Sequence, residues 1–280
     1  MIKVIYTISI ITVLTSLLSA CEKKYDPDFA KLPAPIPQNP TSLGTLNNAT
    51  PASVDYLSGI ALNNTHQASV QVNVTTIGTY TIHTDTINNV WFDATGTTNN
   101  TGLQTLNLQA HGIPDTSGVC NFTVKYGISR TNLSIEVVDW WEFEEAGGAK
   151  YAGKMDSVFI LDPLGVLIFM GTGNSLDKKM VILLDILPAT APAVMNYSTD
   201  MGNAGFFTYA TVDLTDGTPI TEFYNSARGT STATSTNIQV SAYNPTTRMV
   251  DATFNGTAVT NTGRLVNIIN GKLRSKFHPL

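Results

Sequence analysis

Val70-Gln71-Val72-Asn73-Val74-Thr75-Thr76-Ile77-Gly78-Thr79-Tyr80-Thr81-Ile82 decides the fold. Apolar and polar residues alternate with a period of two, glycine interrupts once, and the alternation resumes. Side chains on a strand point to opposite faces in turn, so this pattern makes one wet and one buried face. The beat recurs at Val90, Phe92 and Ala94, at Leu106 and Leu108, at Phe122, Val124 and Tyr126, and at Ile135 and Val137. Short strands separated by Gly, Asn and Thr turns predict an antiparallel sheet over 46–138, of the size of an immunoglobulin-like sandwich. The Cys-Trp-Cys framework of true immunoglobulin domains is missing from it.

Further along, Val158–Leu161, Val166–Met170 and Val181–Leu187 are nearly continuous apolar runs. No amphipathic helical stretch separates them, which argues against a parallel, doubly wound sheet. Clean alternation then returns at Ile238, Val240 and Ala242, at Val250, Ala252 and Phe254, at Val266 and Ile268, and at Leu273, Ser275 and Phe277. Asp216-Gly217, Asn255-Gly256 and Asn270-Gly271 are read as hairpin turns, because such pairs tolerate positive φ. Residues 155–280 are therefore expected to form a second antiparallel sandwich or flattened barrel. The fold class is all-β, with two antiparallel β-sandwich domains and an aromatic, acidic linker over 139–154.

The chain opens differently. Lys3 precedes an apolar run from Val4 to Leu18, shorter than the roughly 20 residues a membrane-spanning helix needs. The run ends in Leu18-Ser19-Ala20-Cys21, which resembles the lipobox of bacterial lipoproteins. That resemblance implies a signal peptide over 1–20, cleaved before a Cys21 that carries a diacylglycerol thioether. Several acyl chains together give lasting membrane attachment where a single one does not. Residues 21–45 read as a tether, since Pro27, Pro33, Pro35, Pro37 and Pro40 oppose both helix and central strand. About 20 such residues in polyproline conformation reach roughly 60 Å. Glu22-Lys23-Lys24 lacks an aspartate at position 22, which favours an outer-membrane address and leaves periplasmic and surface faces both open.

Charged residues make up only 13% of the chain, so Thr, Asn and Ser must supply much of the polar surface. The net charge of −5 and the lack of a clustered basic face argue against nucleic acid as a partner. With Cys21 lipidated, Cys120 has no partner for an intrachain disulfide, and its phase with Phe122 and Val124 turns the thiol inward. His66, His83, His111 and His278 have no metal-site spacing, and neither a metal nor a cofactor is expected. Asp213, Asp216 and Asn203 are read as turn residues, with a Ca²⁺ site as the alternative. Gly171-Thr172-Gly173 is read as a turn, because Leu176 stands where a dinucleotide fingerprint wants its last glycine and no helix follows. Gly-x-Ser-x-Gly and His-Glu-x-x-His are both missing.

Two stretches resemble segments of Bacteroidota cell-surface proteins that carry no assigned activity. Gly78-Thr79-Tyr80-Thr81-Ile82, Asn89-Val90-Trp91-Phe92, Gly102-Leu103-Gln104-Thr105-Leu106 and Gly112-Ile113-Pro114 resemble one recurring module, with Asn89 in place of its usual glycine. Val250-Asp251-Ala252-Thr253-Phe254-Asn255-Gly256 and Val266-Asn267-Ile268-Ile269-Asn270-Gly271-Lys272-Leu273 resemble the end of envelope lipoprotein domains. There Ala252 replaces a glycine and Leu273 an aromatic. Asp85-Thr86-Ile87 and Asp156-Ser157-Val158 resemble the O-glycosylation sites of the same bacteria, with Thr86 and Ser157 as acceptors.

The stretch with most chemistry is Asp139-Trp140-Trp141-Glu142-Phe143-Glu144-Glu145. An outward tryptophan beside carboxylates can stack a sugar ring while the acids take its hydroxyls. Trp140, Trp141 and Glu142 are the candidate ligand platform; the alternative is that these aromatics pack at an apolar joint between domains. The expected function is that of a non-catalytic, membrane-anchored envelope protein binding or displaying glycan or another surface component. A glycan hydrolase using acids from Asp139, Glu142, Glu144 and Glu145 is the alternative from another class, and a ligand-free spacer is the third. Oligomeric state is not encoded legibly.

Overall fold

The computed structural model describes residues 40–161, 165–185, 191–198, 204–216, 219–227 and 234–279. The expected signal peptide, Cys21 and most of the expected tether lie outside these residues, as do Asn203 and Gly217. Among the described residues there is no helix; the chain is all-β, folded as two curled sheets within one compact unit, Pro40–Leu280.

The first sheet contains β1 (Leu43–Pro51), β2 (Tyr56–Leu57), β3 (Gln67–Thr76), β4 (Gly78–Thr84) and β5 (Val90–Thr98). It continues with β6 (Gly102–Gly112), β7 (Gly118–Tyr126) and β8 (Ser129–Val138). Their order is β1-β3-β6-β5-β4-β7-β8-β2, antiparallel except for the β2–β8 pair. Alternation does here what it predicts: Val70, Val72, Val74, Ile82, Phe92, Leu108, Phe122 and Val124 are buried, while their neighbours in sequence face water. Strand β5 makes the curl. Its first half pairs with β6 and its second half with β4, the change falling at Asp93, which faces both Gln109 and His83. A strand that changes partners midway turns a corner in the sheet. The far edge comes round as well, for the Leu46 amide donates to Ser129 Oγ on β8 at 2.8 Å. Buried Ser42 ties this end to Thr98 Oγ1 at 2.7 Å and to the Tyr126 hydroxyl. Strand β1 thus begins at Leu43, inside the 21–45 range expected to be a tether.

The second sheet starts where a linker was expected. Its strands are β9 (Trp140–Glu145), β10 (Lys150–Leu161), β11 (Val166–Thr172), β12 (Lys178–Asp185) and β13 (Asn196–Ser198). Then come β14 (Ala204–Val212), β15 (Pro219–Ala227), β16 (Ser235–Asn244), β17 (Met249–Thr260) and β18 (Leu265–Lys276). Residues 139–154 are thus no connector: β9 lies between β10 and β18, paired to both. The order β13-β16-β17-β15-β14-β12-β11-β10-β9-β18 is closed by a further pairing of β17 with β18. Strand β17 carries β16 and β18 on its two sides, and its last residues Val259 and Thr260 pair with β15. The apolar runs are explained by their two faces. Leu167 and Phe169 are fully buried inward, whereas Ile168 and Met170 are half-buried on the outer face beside Leu183 and Val181.

Two of the expected hairpin turns are bulges. Asn255-Gly256 sits inside β17 where the β18 register shifts, and Asn270-Gly271 sits inside β18 where the β9 register shifts. Asn270 has φ of 55°, and a Cβ on Gly256 would lie 2.1 Å from the Ser235 carbonyl oxygen. A bulge needs the same unusual backbone as a hairpin turn and bends the strand that carries it. Twelve-residue strands bent in this way wrap the sheet around its aromatic core of Trp141, Phe143, Phe169, Phe207, Tyr209 and Phe254.

Candidate functional site

Strand β9 places its side chains by parity. Trp141, Phe143 and Glu145 point into the second sheet, and Trp140, Glu142 and Glu144 point away from it. Trp141 has no exposed surface; it stacks on Phe143 at 5.7 Å and meets Tyr209 edge-on at 5.7 Å. The slot for its indole is cut by two glycines, Gly153 on the adjoining β10 and Gly171 on β11 beyond it. A Cβ on Gly171 would come within 2.4 Å of Trp141 Cδ1 and Nε1, and one on Gly153 within 2.8 Å of Cε2. Gly171 is accordingly a strand residue of β11, not the turn its Gly-Thr-Gly context suggests. Burial removes Trp141 from any sugar platform. Trp140 is half-buried and donates Nε1 to the Ser58 carbonyl at 3.0 Å, so it serves the joint between the sheets.

That joint is polar at its centre. Asp139 is 6% exposed, and its carboxylate accepts from Ser58 Oγ at 2.7 Å, Ser117 Oγ at 2.9 Å and the Lys276 amide at 2.7 Å. Ser58 and Ser117 belong to the first sheet's side and Lys276 to β18, so one buried carboxylate pins both. Lys154 adds an ion pair to Asp55 at 3.1 Å.

The other acids of the stretch are engaged too. Glu142 faces Lys272 at 3.6 Å. Glu144 takes Lys150 Nζ at 2.5 Å and Asn270 Nδ2 at 3.2 Å, and these hydrogen bonds hold its carboxyl below the usual range. Glu145 accepts from Arg264 at 2.6 Å and from the Tyr224 hydroxyl at 2.9 Å, contacts that likewise hold its carboxyl low. Tyr224 also meets the Tyr151 hydroxyl at 2.7 Å, and burial, with those two partners, pushes its own ionisation far up. Carboxylates held anionic by such partners accept hydrogen bonds; they are poorly suited to donate a proton to a leaving group.

The geometry sought at Trp140 and Trp141 occurs instead at Trp91. On the outer face of the first sheet its exposed indole stacks on His111 at 5.5 Å, with an interplanar angle of 20°. Trp91 Nε1 donates to Asp93 Oδ2 at 3.3 Å, and His111 Nε2 lies 3.3 Å from Asp93 Oδ1. The sequence carried a signal for this in Val90-Trp91-Phe92, where parity that buries Phe92 must turn Trp91 outward. Cross-strand pairing of Trp91 with His111, twenty residues on, was not readable.

The remaining candidates have ordinary partners. Cys120 is buried, and burial pushes its thiol up; Asn88 Nδ2 lies 3.6 Å from its sulfur, while His111 is committed to Trp91 and Asp93. His66 packs edge-on against Tyr56 at 5.2 Å, and His278 donates its amide to the Val158 carbonyl. Asp213 accepts from Thr215 N at 2.8 Å and Oγ1 at 2.6 Å, the geometry of an Asx turn. Among the described residues no group of three or more His, Cys, Asp or Glu is placed to hold a metal. Thr86 is exposed between β4 and β5; Ser157 is half-buried within β10 beside a bulge. Compared with protein-family models, curated proteins and solved structures, the chain matches none.

Proposed function

We propose that this chain is a non-catalytic, lipid-anchored envelope protein that binds or displays glycan. In this reading Cys21 carries the lipid, the proline-rich segment spaces the folded part from the membrane, and the address is the outer membrane. Each curled sheet is taken as one module, the first folded over at the β5 corner in the manner of a sandwich and the second in the manner of a flattened barrel. The two sequence stretches that resemble Bacteroidota cell-surface proteins are compatible with this reading. The observation that carries the glycan part is Trp91, an exposed indole braced by His111 and flanked by the Asp93 carboxylate. An aromatic face takes the C–H face of a pyranose, and a neighbouring carboxylate takes its hydroxyls.

Two measurements test this. Intact mass of the protein from native membranes is expected to show diacylglycerol on Cys21, and Cys21→Ser is expected to release the protein into the aqueous fraction. The Cys21→Ser protein is expected to bind neutral oligosaccharides on a glycan array, with binding lost in Trp91→Ala at unchanged melting temperature. An unmodified Cys21 removes the anchor. A wild-type chain that binds no glycan removes the ligand and leaves the spacer reading, and turnover of glycan abolished by Glu142→Gln or Glu144→Gln would install the hydrolase.

A further inference from the structure

A cleft of about 430 Å³ opens at the joint, lined by Asp115 from the first sheet's side and by Tyr243, Asn244, Thr247, Asp251 and Arg274 from the second. Its volume falls within the range of small-molecule sites, roughly 300–1,000 Å³, and such sites favour boundaries between packed units. The lining is unusual for this protein. Elsewhere at the joint each carboxylate has a partner, but here several polar groups have none. Among the described contacts, the Asp115 carboxylate and the hydroxyls of Tyr243 and Thr247 are unpartnered. Asn244 uses its Oδ1 on the Thr246 and Thr247 amides, at 2.9 and 3.1 Å, which leaves Nδ2 free.

Charge selects the ligand. Arg274 is already matched to Asp251, NH1 reaching both carboxylate oxygens at 2.7 Å, and its NH2 donates to the Asp115 carbonyl at 3.1 Å. The pair cancels, and Asp115 leaves the lining with one net negative charge. An anion would be repelled, and the Arg274 charge is already neutralised by Asp251, its one unpartnered nitrogen, Nε, being buried. A neutral polyol instead finds a carboxylate and two hydroxyls as acceptors and an amide as donor. The half-buried Tyr243 ring, held edge-on by Phe277 at 6.1 Å, offers the apolar face that a pyranose needs.

Position connects this cleft to Trp91. Asp115 follows His111, the stacking partner of Trp91, by four residues, which puts its Cα no more than about 14 Å from that of His111. Asn88 fixes the intervening loop, accepting from the Asp115 and Thr116 amides at 3.1 and 3.0 Å and donating to the Thr116 carbonyl at 2.6 Å. We infer that the joint cleft is a second subsite, holding one or two residues of an uncharged glycan whose adjacent residues stack on Trp91. This rests on the glycan reading above and names the ligand's charge and its path.

Titration calorimetry on the Cys21→Ser protein tests it, using maltotetraose, xylotetraose and mannotetraose, their monosaccharides, and sialyllactose as the anionic probe. At least one tetraose is expected to bind, its monosaccharide at least tenfold more weakly and sialyllactose not at all. Tyr243→Ala and Asp115→Asn are each expected to weaken the tetraose tenfold or more while the melting temperature stays within about 2 °C. Asp115→Asn, isosteric and at an exposed position, keeps the test valid if Tyr243→Ala misfolds. Binding lost in Trp91→Ala yet unchanged in both cleft variants overturns the subsite and leaves the glycan reading standing. Preference for sialyllactose overturns the charge argument, and no wild-type binding to any tetraose overturns both proposals.

Discussion

Replacing Asp139 by alanine strikes the one carboxylate that both sheets share. The change removes the acceptor for Ser58 Oγ, Ser117 Oγ and the Lys276 amide. Ser58 is fully buried and cannot turn to water, and the Lys276 amide is fixed in β18; the half-buried Ser117 can reorient. Each stranded buried donor costs about 1–3 kcal/mol, so the two fixed donors together cost about 4 kcal/mol. For a folded region of this size each kcal/mol moves the melting temperature by roughly 2–4 °C, a fall of roughly 8–16 °C. Asp139→Asn keeps one oxygen for Ser58 but sets an amide N–H against Lys276 N–H, and about half the loss is expected. Thermal unfolding of the Cys21→Ser protein, followed by circular dichroism, reads these shifts. Adding Ser58→Ala to Asp139→Ala is expected to cost less than Ser58→Ala alone, because the two side chains form one unit. A melting temperature within 3 °C of the parent for Asp139→Ala, or equal costs of Ser58→Ala in both backgrounds, refutes the joint as described.

Gly171→Ala is expected to destabilise by about 1–3 kcal/mol, read as a lower urea midpoint, since its methyl would press on the Trp141 indole; an unchanged midpoint would mean the slot is loose. Glu145 has its folded-state pKa depressed by Arg264 and Tyr224, so its contribution is complete above the ordinary value of 4.5 and is lost as pH falls through the lower folded value. Arg264→Gln is therefore expected to flatten the acid limb of stability against pH below 4.5, and a limb of unaltered slope counts against the pairing. Cys120 is expected to react with a thiol reagent at pH 8 only after denaturation, because it is buried and its thiol is pushed up. Immediate labelling of the native protein would contradict that.

Strand identity in the first sheet was legible because one face is dry and the other wet, so Val70, Val72 and Val74 record the pleat directly. The same physics made β18 ambiguous. A two-residue hairpin at Asn270-Gly271 would set Ile268 opposite Leu273 with both turned inward, and the bulged strand buries the same two residues. Local alternation does not separate the two; only the partners do, Leu273 facing Ala252 and Trp141, and Ile268 facing Gly256 and Glu145. The acidic, aromatic stretch misled for a related reason. Its charges suggested a linker between domains, but their parity puts Trp141 and Phe143 on the dry side, and the cations that neutralise Glu142, Glu144 and Glu145 arrive from as far away as Lys272 and Arg264. The candidate sugar surface was half legible. Trp91 follows from the parity of Phe92, whereas the cleft needs Asp115 and Tyr243 to meet across the joint, which no local pattern records.

Closure of the second sheet by β18 sets an order of events for a nascent chain. Strands β9 and β17 lie more than one hundred residues apart in sequence, and the final strand must slide between them. Until it does, both present open backbone edges, and the Asp139 carboxylate lacks the Lys276 amide. Contacts so distant in sequence form slowly, and unpaired edges invite association with other chains. A chain stopped short of Leu265 would be caught with those edges bare, a substrate for chaperones and proteases rather than a shortened version of the protein.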